Sequence, residues 1–253
     1  MLNLAKALRS AFSLHRRARL VALLVPRRFW YRTALFLSRL QGFVVKRFRG
    51  GNAKLTEALM LDHWLRELTF SGAFPIPMRV VETAWLTHRE PRVARLFCWT
   101  HLPLIEMPLR AMLQLNFPPF VMVAQPGKIV GVNKDEFLAP GLQERIPAIP
   151  VGSDVLTKVR GILREGGSVA CLADARMGGP LLPHVMRIAA RMGARLVFQW
   201  AERQPDGEIL VTFVDAPRPR CENAEAIREN LEYLRIANRR VLDSLGLPTS
   251  SPE

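Results

Sequence analysis

SDVLTKVRGILREGGSVACLAD, residues 153–174, joins a helical pattern to a strand pattern across two glycines. Ser153 suits a helix N-cap, and the apolar residues after it recur at helical spacing. Gly166 and Gly167 end the helix, because glycine tolerates the backbone conformations of a helix C-terminus. The residues after the glycines are apolar and β-prone, and Asp174 follows them. The stretch therefore predicts a helix that leads into a buried strand with a carboxylate at its end.

The same alternation of helix and strand extends to both sides of this stretch. Further apolar, β-prone segments occur at residues 94–100, 120–124, 195–200 and 209–214, and further helical patterns at 55–68, 186–194 and 223–245. A chain of 253 residues that is 49% hydrophobic is long enough to bury a full core. We predict an α/β fold with a mixed central sheet flanked by helices.

A histidine and a glutamate stand five residues apart at the end of one predicted strand. They are His101 and Glu106, in the sequence CWTHLPLIE. A histidine at a strand end can meet a carboxylate in the first turn of the next helix, and Pro103 suits the start of such a helix. About 0.4 such pairs are expected by chance from this composition, so the spacing alone leaves a structural histidine as the alternative.

The motif and the order of elements together resemble the lysophospholipid acyltransferase superfamily, from about Met78 to the C-terminal helix. The closest likeness is to the branch with the late acyltransferases of lipid A and the acyltransferases of phosphatidylinositol mannosides. In that superfamily the His-x4-Asp/Glu motif is the catalytic dyad. The resemblance implies that His101 deprotonates an acceptor hydroxyl and that Glu106 orients it. The acyl donor would be a thioester of acyl carrier protein or coenzyme A.

Three more residues are candidates for substrate binding: Asp174, Arg176 and Arg203. Asp174 matches a strand-end aspartate of the lipid A branch, and its alternative is a cap on the following turn. A guanidinium near the strand ends suits a lipid phosphate or phosphopantetheine, and a surface ion pair is the alternative for Arg176. The chain lacks the Phe-Phe-Gly segment of that branch after Arg176. It also lacks the Pro-Glu-Gly block of the glycerophosphate branch, which argues against lysophosphatidate as acceptor.

The first 50 residues contain 12 basic residues and no acidic one, in a chain of formal net charge +14. Leucine and aromatic residues interleave these charges, which is typical of amphipathic helices on an anionic membrane surface. A solvated basic arm, a nucleic-acid contact and a targeting peptide are the alternatives. No apolar run reaches the ~20 residues of a bilayer crossing. We predict a membrane-attachment segment at residues 1–50, an acyltransferase-like domain at residues 51–253, and no nucleic-acid partner.

The spacing of the cysteines and histidines limits the kinds of reaction we expect. Cys98, Cys171 and Cys221 show no paired spacing, which favours a reducing compartment, and the histidines show no metal-ligand spacing. We therefore expect no cofactor or metal, and direct attack by the acceptor without an acyl-enzyme. Apolar residues after Glu106 line either an acyl tunnel or the core: Met107, Leu109, Met112, Leu113 and Phe117.

These observations predict an acyltransferase that moves a fatty acyl group to a hydroxyl of a membrane lipid or glycolipid. The predicted location is the cytoplasmic face of a bacterial inner membrane, with peripheral attachment. The alternative is a catalytically silent member of the same fold that binds lipid at the membrane surface.

Overall fold

The computed structural model describes seven segments of the chain: residues 14–69, 73–81, 93–117, 119–124, 146–174, 179–221 and 223–246. Arg176, one of the predicted substrate-binding residues, lies outside them. The chain divides into two compact units. The first unit consists almost entirely of residues 1–77, and the second unit contains residues 78–138 and 142–253.

The described residues of the first unit are mainly helical. Its helices are α1 (Leu14–Leu24), a 3₁₀ turn (Arg27–Phe29), α2 (Trp30–Arg49) and α3 (Ala53–Thr69). Helix α3 packs against both α1 and α2, and its Trp64 indole N–H donates to Gln41 of α2 at 3.3 Å. The boundary thus falls near residue 77 rather than at the predicted residue 50, because α3 buries its apolar face among the preceding helices. Among the described residues, no helix combines the length and apolar composition that a bilayer crossing requires.

The second unit is built on a seven-stranded mixed sheet of order β1-β7-β6-β2-β5-β3-β4. The strands are β1 (Met78–Val81), β2 (Arg95–Trp99), β3 (Phe120–Ala124), β4 (Ala148–Pro150), β5 (Ser168–Leu172), β6 (Arg195–Arg203) and β7 (Ile209–Asp215). Strands β6, β2, β5, β3 and β4 are parallel, whereas β7 runs antiparallel to β6 and parallel to β1. The predicted α/β class with a mixed central sheet is confirmed.

Helices cover both faces of this sheet. They are α4 (Met107–Gln114), α5 (Val155–Arg164), α6 (Pro183–Met192) and α7 (Ala224–Ser244). Side chains alternate along β2, so that Cys98 joins a core with α5, α6 and α7 residues while Phe97 contacts Phe117, which follows α4. Helix α4 therefore covers one face, and the other three helices cover the opposite face.

The predicted junction between α5 and β5 has the expected form. Gly166 has φ of +77°, in the left-handed region that glycine adopts without strain. A Cβ on Gly167 would lie 2.9 Å from the Ile162 carbonyl oxygen, so only glycine fits this close approach. The two glycines therefore reverse the chain at the end of the helix and start β5 in register with β2.

The helix after His101 begins later than its sequence suggests. Helix α4 starts at Met107 rather than near Pro103, and Glu106 occupies its N-cap position. Leu104 has φ of +65°, which a right-handed helix excludes for that residue. Residues 103–106 consequently form a turn between the strand end and the helix.

Candidate active site

His101 and Asp174 are brought together by two neighbouring strands. His101 follows β2 and Asp174 follows β5, and these strands are parallel and in register, with Cys98 opposite Cys171. The carboxyl ends of parallel strands lie at the same edge of a sheet, where α/β folds bind ligands. The two side chains meet at this edge although 73 positions separate them in the sequence.

Three hydrogen-bond contacts join the two residues. The Nδ1 atom of His101 lies 2.8 Å from Oδ1 of Asp174. The backbone N–H of His101 also donates to the Asp174 carboxylate, at 3.0 Å to Oδ1 and 3.2 Å to Oδ2. These contacts hold His101 both at its imidazole ring and at its backbone N–H.

The two side chains differ in their exposure to solvent. The Asp174 side chain is 2% exposed, whereas the His101 side chain is 35% exposed. An ionised carboxylate only accepts hydrogen bonds, so the ring places its proton on Nδ1 and keeps a lone pair on Nε2. The buried aspartate thus selects one tautomer, and Nε2 can take a proton from a substrate.

Glu106 has a different environment from the one predicted for it. Its carboxylate is buried at the start of α4 and lies 3.4 Å from Nη2 of Arg110, one turn further along the helix. The carboxylate that faces Nδ1 of His101 in this geometry is that of Asp174. The orienting role of Glu106 stays a prediction. An aspartate predicted to bind substrate is therefore the acidic partner of the histidine.

His101 and Asp174 also line an apolar cavity of about 330 Å³ on the face covered by α5 and α6. Most of its other lining residues are aliphatic: Leu96, Val123, Val151, Val155, Leu156, Val159, Val169, Leu172, Leu182, Val185 and Ile188, with Cys171 and His184. Helices α5 and α6 both begin near the carboxyl edge, so Val159 and Ile188 lie deeper than Val155 and His184. The end of the cavity near the carboxyl edge, its mouth, thus contains His101, Asp174 and His184 beside the exposed Val151 and Leu156, and aliphatic side chains form the rest.

His184 is a site residue that the sequence analysis missed. It is the second residue of α6, directly after Pro183, and it lines the cavity together with His101. The available signal was its place at the first helix turn after the strand that ends in Asp174. That turn returns to the same sheet edge, so a polar side chain there faces the strand ends.

Two other predicted features lie away from the cavity. Arg203 is the last residue of β6, opposite Ile209 of β7, and it is not among the described residues that line the cavity. Met107, Leu109 and Met112 are almost fully buried on the opposite face of the sheet. Of the two alternatives for the apolar residues of α4, core packing applies to these three.

The cysteines are free thiols buried in the core. The hydrogen bond between Cys98 and Cys171, together with complete burial, raises the pKa of the Cys98 thiol well above its usual range. Burial also raises the pKa of Cys221. These thiols stay protonated at neutral pH, so Cys98 and Cys221 are poor nucleophiles.

Comparisons with known proteins give no match to this chain, either to a protein-family model or to a curated protein. The resemblance to acyltransferases thus rests on the motif and the order of elements, and it stays a prediction.

Proposed function

We propose that the chain is an acyltransferase that moves a fatty acyl group from a thioester donor to a hydroxyl of a membrane lipid. One observation carries the proposal: His101 lies at the mouth of an apolar cavity, and its ring contacts a buried carboxylate. When an alkyl chain fills the cavity, its first polar atoms lie beside a base at this mouth. In a fatty acyl thioester those atoms are the carbonyl group and the sulfur.

The cavity has the composition that an acyl chain requires. Its depth is formed by Val159, Ile188, Leu96 and Val169, which offer no polar group to an alkyl chain. Each buried methylene contributes about 0.8 kcal/mol to binding, so the alkyl tail supplies the affinity and the mouth supplies the chemistry. A volume of about 330 Å³ falls within the range of small-molecule sites.

The reaction proceeds by direct attack in this proposal. Nε2 of His101 takes the proton of the acceptor hydroxyl as its oxygen attacks the thioester carbonyl carbon. The carbon–sulfur bond then breaks, and the thiolate leaves and takes the proton back from the imidazolium. The Asp174 carboxylate stabilises the transient imidazolium charge through the 2.8 Å contact. No cofactor or metal enters this scheme.

The helical unit is proposed to hold the protein at an anionic membrane surface. Phe36, Leu40 and Phe43 of α2 are exposed and lie within about 60° of one another around the helix. Arg32, Arg39 and Lys46 recur at seven-residue spacing and form an exposed row alongside them. Aromatic and leucine side chains entering the bilayer, with arginines at the headgroups, suit a cytoplasmic-leaflet location at a bacterial inner membrane.

The test is transfer of labelled acyl groups to a total bacterial lipid extract, with acyl carrier protein and coenzyme A thioesters as separate donors. We expect labelled lipid from at least one donor, and mass spectrometry identifies the acceptor. Liposome binding without product from either donor would favour the silent lipid-binding alternative. Binding to DNA or RNA but not to lipid would instead favour a nucleic-acid partner.

A further inference from the structure

The mouth of the cavity must stabilise a negative charge during the proposed reaction. When the acceptor oxygen attacks the thioester, the carbonyl oxygen becomes negatively charged in the transition state. Such a charge beside an apolar cavity costs free energy unless a hydrogen-bond donor lies within about 3 Å of the oxygen. His101 cannot supply this donor, because its Nδ1 faces Asp174 and its Nε2 is the proposed base. The charge therefore requires a second donor at the mouth.

The side chains that line the cavity include few polar groups. Among the described lining residues these are His101, Asp174, Cys171 and His184. An ionised carboxylate only accepts hydrogen bonds, and a thiol is a weak donor. An imidazole always carries at least one N–H, which is a strong donor. Of the four described side chains, His184 is thus the one with a strong donor that the base and its carboxylate do not use.

The His184 ring is available to a ligand. Its residue is exposed at the second position of α6. Within the described ranges of the chain, no hydrogen bond, ion pair or ring contact involves its side chain. A histidine held by a structural partner would have to break that contact before it could donate to a substrate. The His184 ring can donate without this cost.

Backbone hydrogen bonds hold the start of α6 against the strand ends that carry His101 and Asp174. Leu181 forms an antiparallel bridge with Asp174. The N–H of Leu182 donates to the Ala173 carbonyl oxygen at 2.6 Å, and the N–H of Ala173 donates to that of Trp99 at 2.7 Å. Trp99 is the last residue of β2, two positions before His101, and His184 follows Leu182 by two positions. The base, its carboxylate and His184 are therefore positioned by one connected set of backbone contacts.

We infer that His184 donates a hydrogen bond from its ring to the carbonyl oxygen of the bound thioester, an inference that rests on the proposed function. His101 acts at the acceptor hydroxyl, and His184 acts at the carbonyl group. The hydrogen bond strengthens as the carbonyl oxygen gains negative charge and weakens again when the carbon–sulfur bond breaks. His184 keeps its proton throughout, so the proton still moves between the acceptor, His101 and the leaving thiolate.

The first test measures transfer kinetics with His184→Leu, which removes the donor, and with His184→Gln, which keeps an N–H. The control is Arg187→Leu, an exposed position of α6 that does not line the cavity. We expect kcat to fall about 10²- to 10³-fold in His184→Leu, because the lost hydrogen bond is strongest in the transition state. The donor KM should change by less than about threefold, and His184→Gln should recover most of the lost rate. A kcat of His184→Leu equal to that of the control, or no recovery in His184→Gln, overturns the inference while transfer by the wild type stands.

The second test does not depend on turnover. The thioester donors, labelled with ¹³C at the carbonyl carbon, are bound to His101→Ala, and the carbonyl stretch is recorded by infrared difference spectroscopy. A hydrogen bond to the oxygen lowers this frequency. We expect a lower frequency than in the double variant His101→Ala, His184→Leu, and no change on adding Arg187→Leu to His101→Ala. Equal frequencies with and without His184 overturn the inference.

The two tests separate this inference from the proposed function. If the wild type binds a thioester but transfers no acyl group, the proposed function fails, and the carbonyl frequency still decides whether His184 contacts the oxygen. A wild type that binds no thioester overturns both.

Discussion

At the scale of single residues, the proposed role of His101 as a base depends on Asp174. It is buried, and it contacts His101 at both the ring and the backbone. In Asp174→Asn an amide replaces the carboxylate, so the imidazolium loses its counter-charge and Nδ1–H is no longer specified. We expect acyl transfer to fall about 10²- to 10⁴-fold while circular dichroism and liposome binding stay unchanged.

Glu106→Gln is the matched comparison for this variant. Glu106 faces Arg110 at the start of α4, so its neutralisation weakens a buried ion pair rather than the base. We expect a loss of about 1–3 kcal/mol in the free energy of unfolding and a smaller loss of activity than in Asp174→Asn. The reverse order of the two activities would return the orienting role to Glu106.

At the scale of elements, the depth of the cavity is set by where α5 and α6 cross the sheet. Val159 is buried at its deep end, so Val159→Phe fills that end and leaves the mouth open. We expect the preferred donor to become shorter, as measured by competition among thioesters of different chain length. Leu234→Phe controls for overpacking, because Leu234 is buried in α7 in the same core but does not line the cavity. An unchanged length preference in Val159→Phe would show that the acyl chain lies elsewhere.

The thiol pair between β2 and β5 predicts a dependence of stability on pH. The pKa of Cys98 is raised in the folded state, whereas an unfolded thiol ionises near pH 8.5. The contribution of the protonated Cys98 thiol to the free energy of unfolding is fully present below that pH. It is lost as the pH rises towards the pKa of the folded state. Urea unfolding from pH 7 to pH 10 should therefore show wild type losing more stability than Cys98→Ala. A difference between them that stays constant to pH 10 contradicts this assignment.

Most of the helices and strands could be predicted from local sequence patterns. The stretch from the α5 helix through Gly166 and Gly167 to β5 forms as predicted, because periodicity and glycine conformation act within a few residues. The N-cap is Asp154 rather than the predicted Ser153, and its side chain makes no capping hydrogen bond. The pairing of His101 with Asp174 was not readable, because it depends on β2 and β5 being neighbours in the sheet. His184 was missed for the same reason. Sequence spacing instead favoured Glu106, the nearest carboxylate along the chain.

At the scale of the whole molecule, the chain combines a strongly basic helical unit with a nearly neutral α/β unit. Two exposed aromatic side chains of α2 allow a test of the proposed membrane contact: Phe36 and Phe43 are 64% and 61% exposed. We expect the double variant Phe36→Ser, Phe43→Ser to bind anionic liposomes about tenfold or more weakly, because two apolar side chains no longer enter the bilayer. Sedimentation with liposomes measures this.

The control for that experiment is Ile236→Ser, which removes an exposed apolar side chain from α7 instead. Raised salt should also weaken binding by the wild type, since Arg32, Arg39 and Arg47 of α2 are exposed and their attraction to anionic lipid is screened. Equal binding of the double variant and the wild type would remove α2 from the membrane contact.

The measurement that bears most directly on the central claim is the rate of acyl transfer by His101→Ala beside the wild type, with a labelled thioester and a bacterial lipid extract. The account predicts that labelled lipid forms with the wild type and disappears with the variant, while folding and liposome binding are preserved. Transfer at an undiminished rate by His101→Ala would contradict it, because the proposed base would then play no part in the reaction.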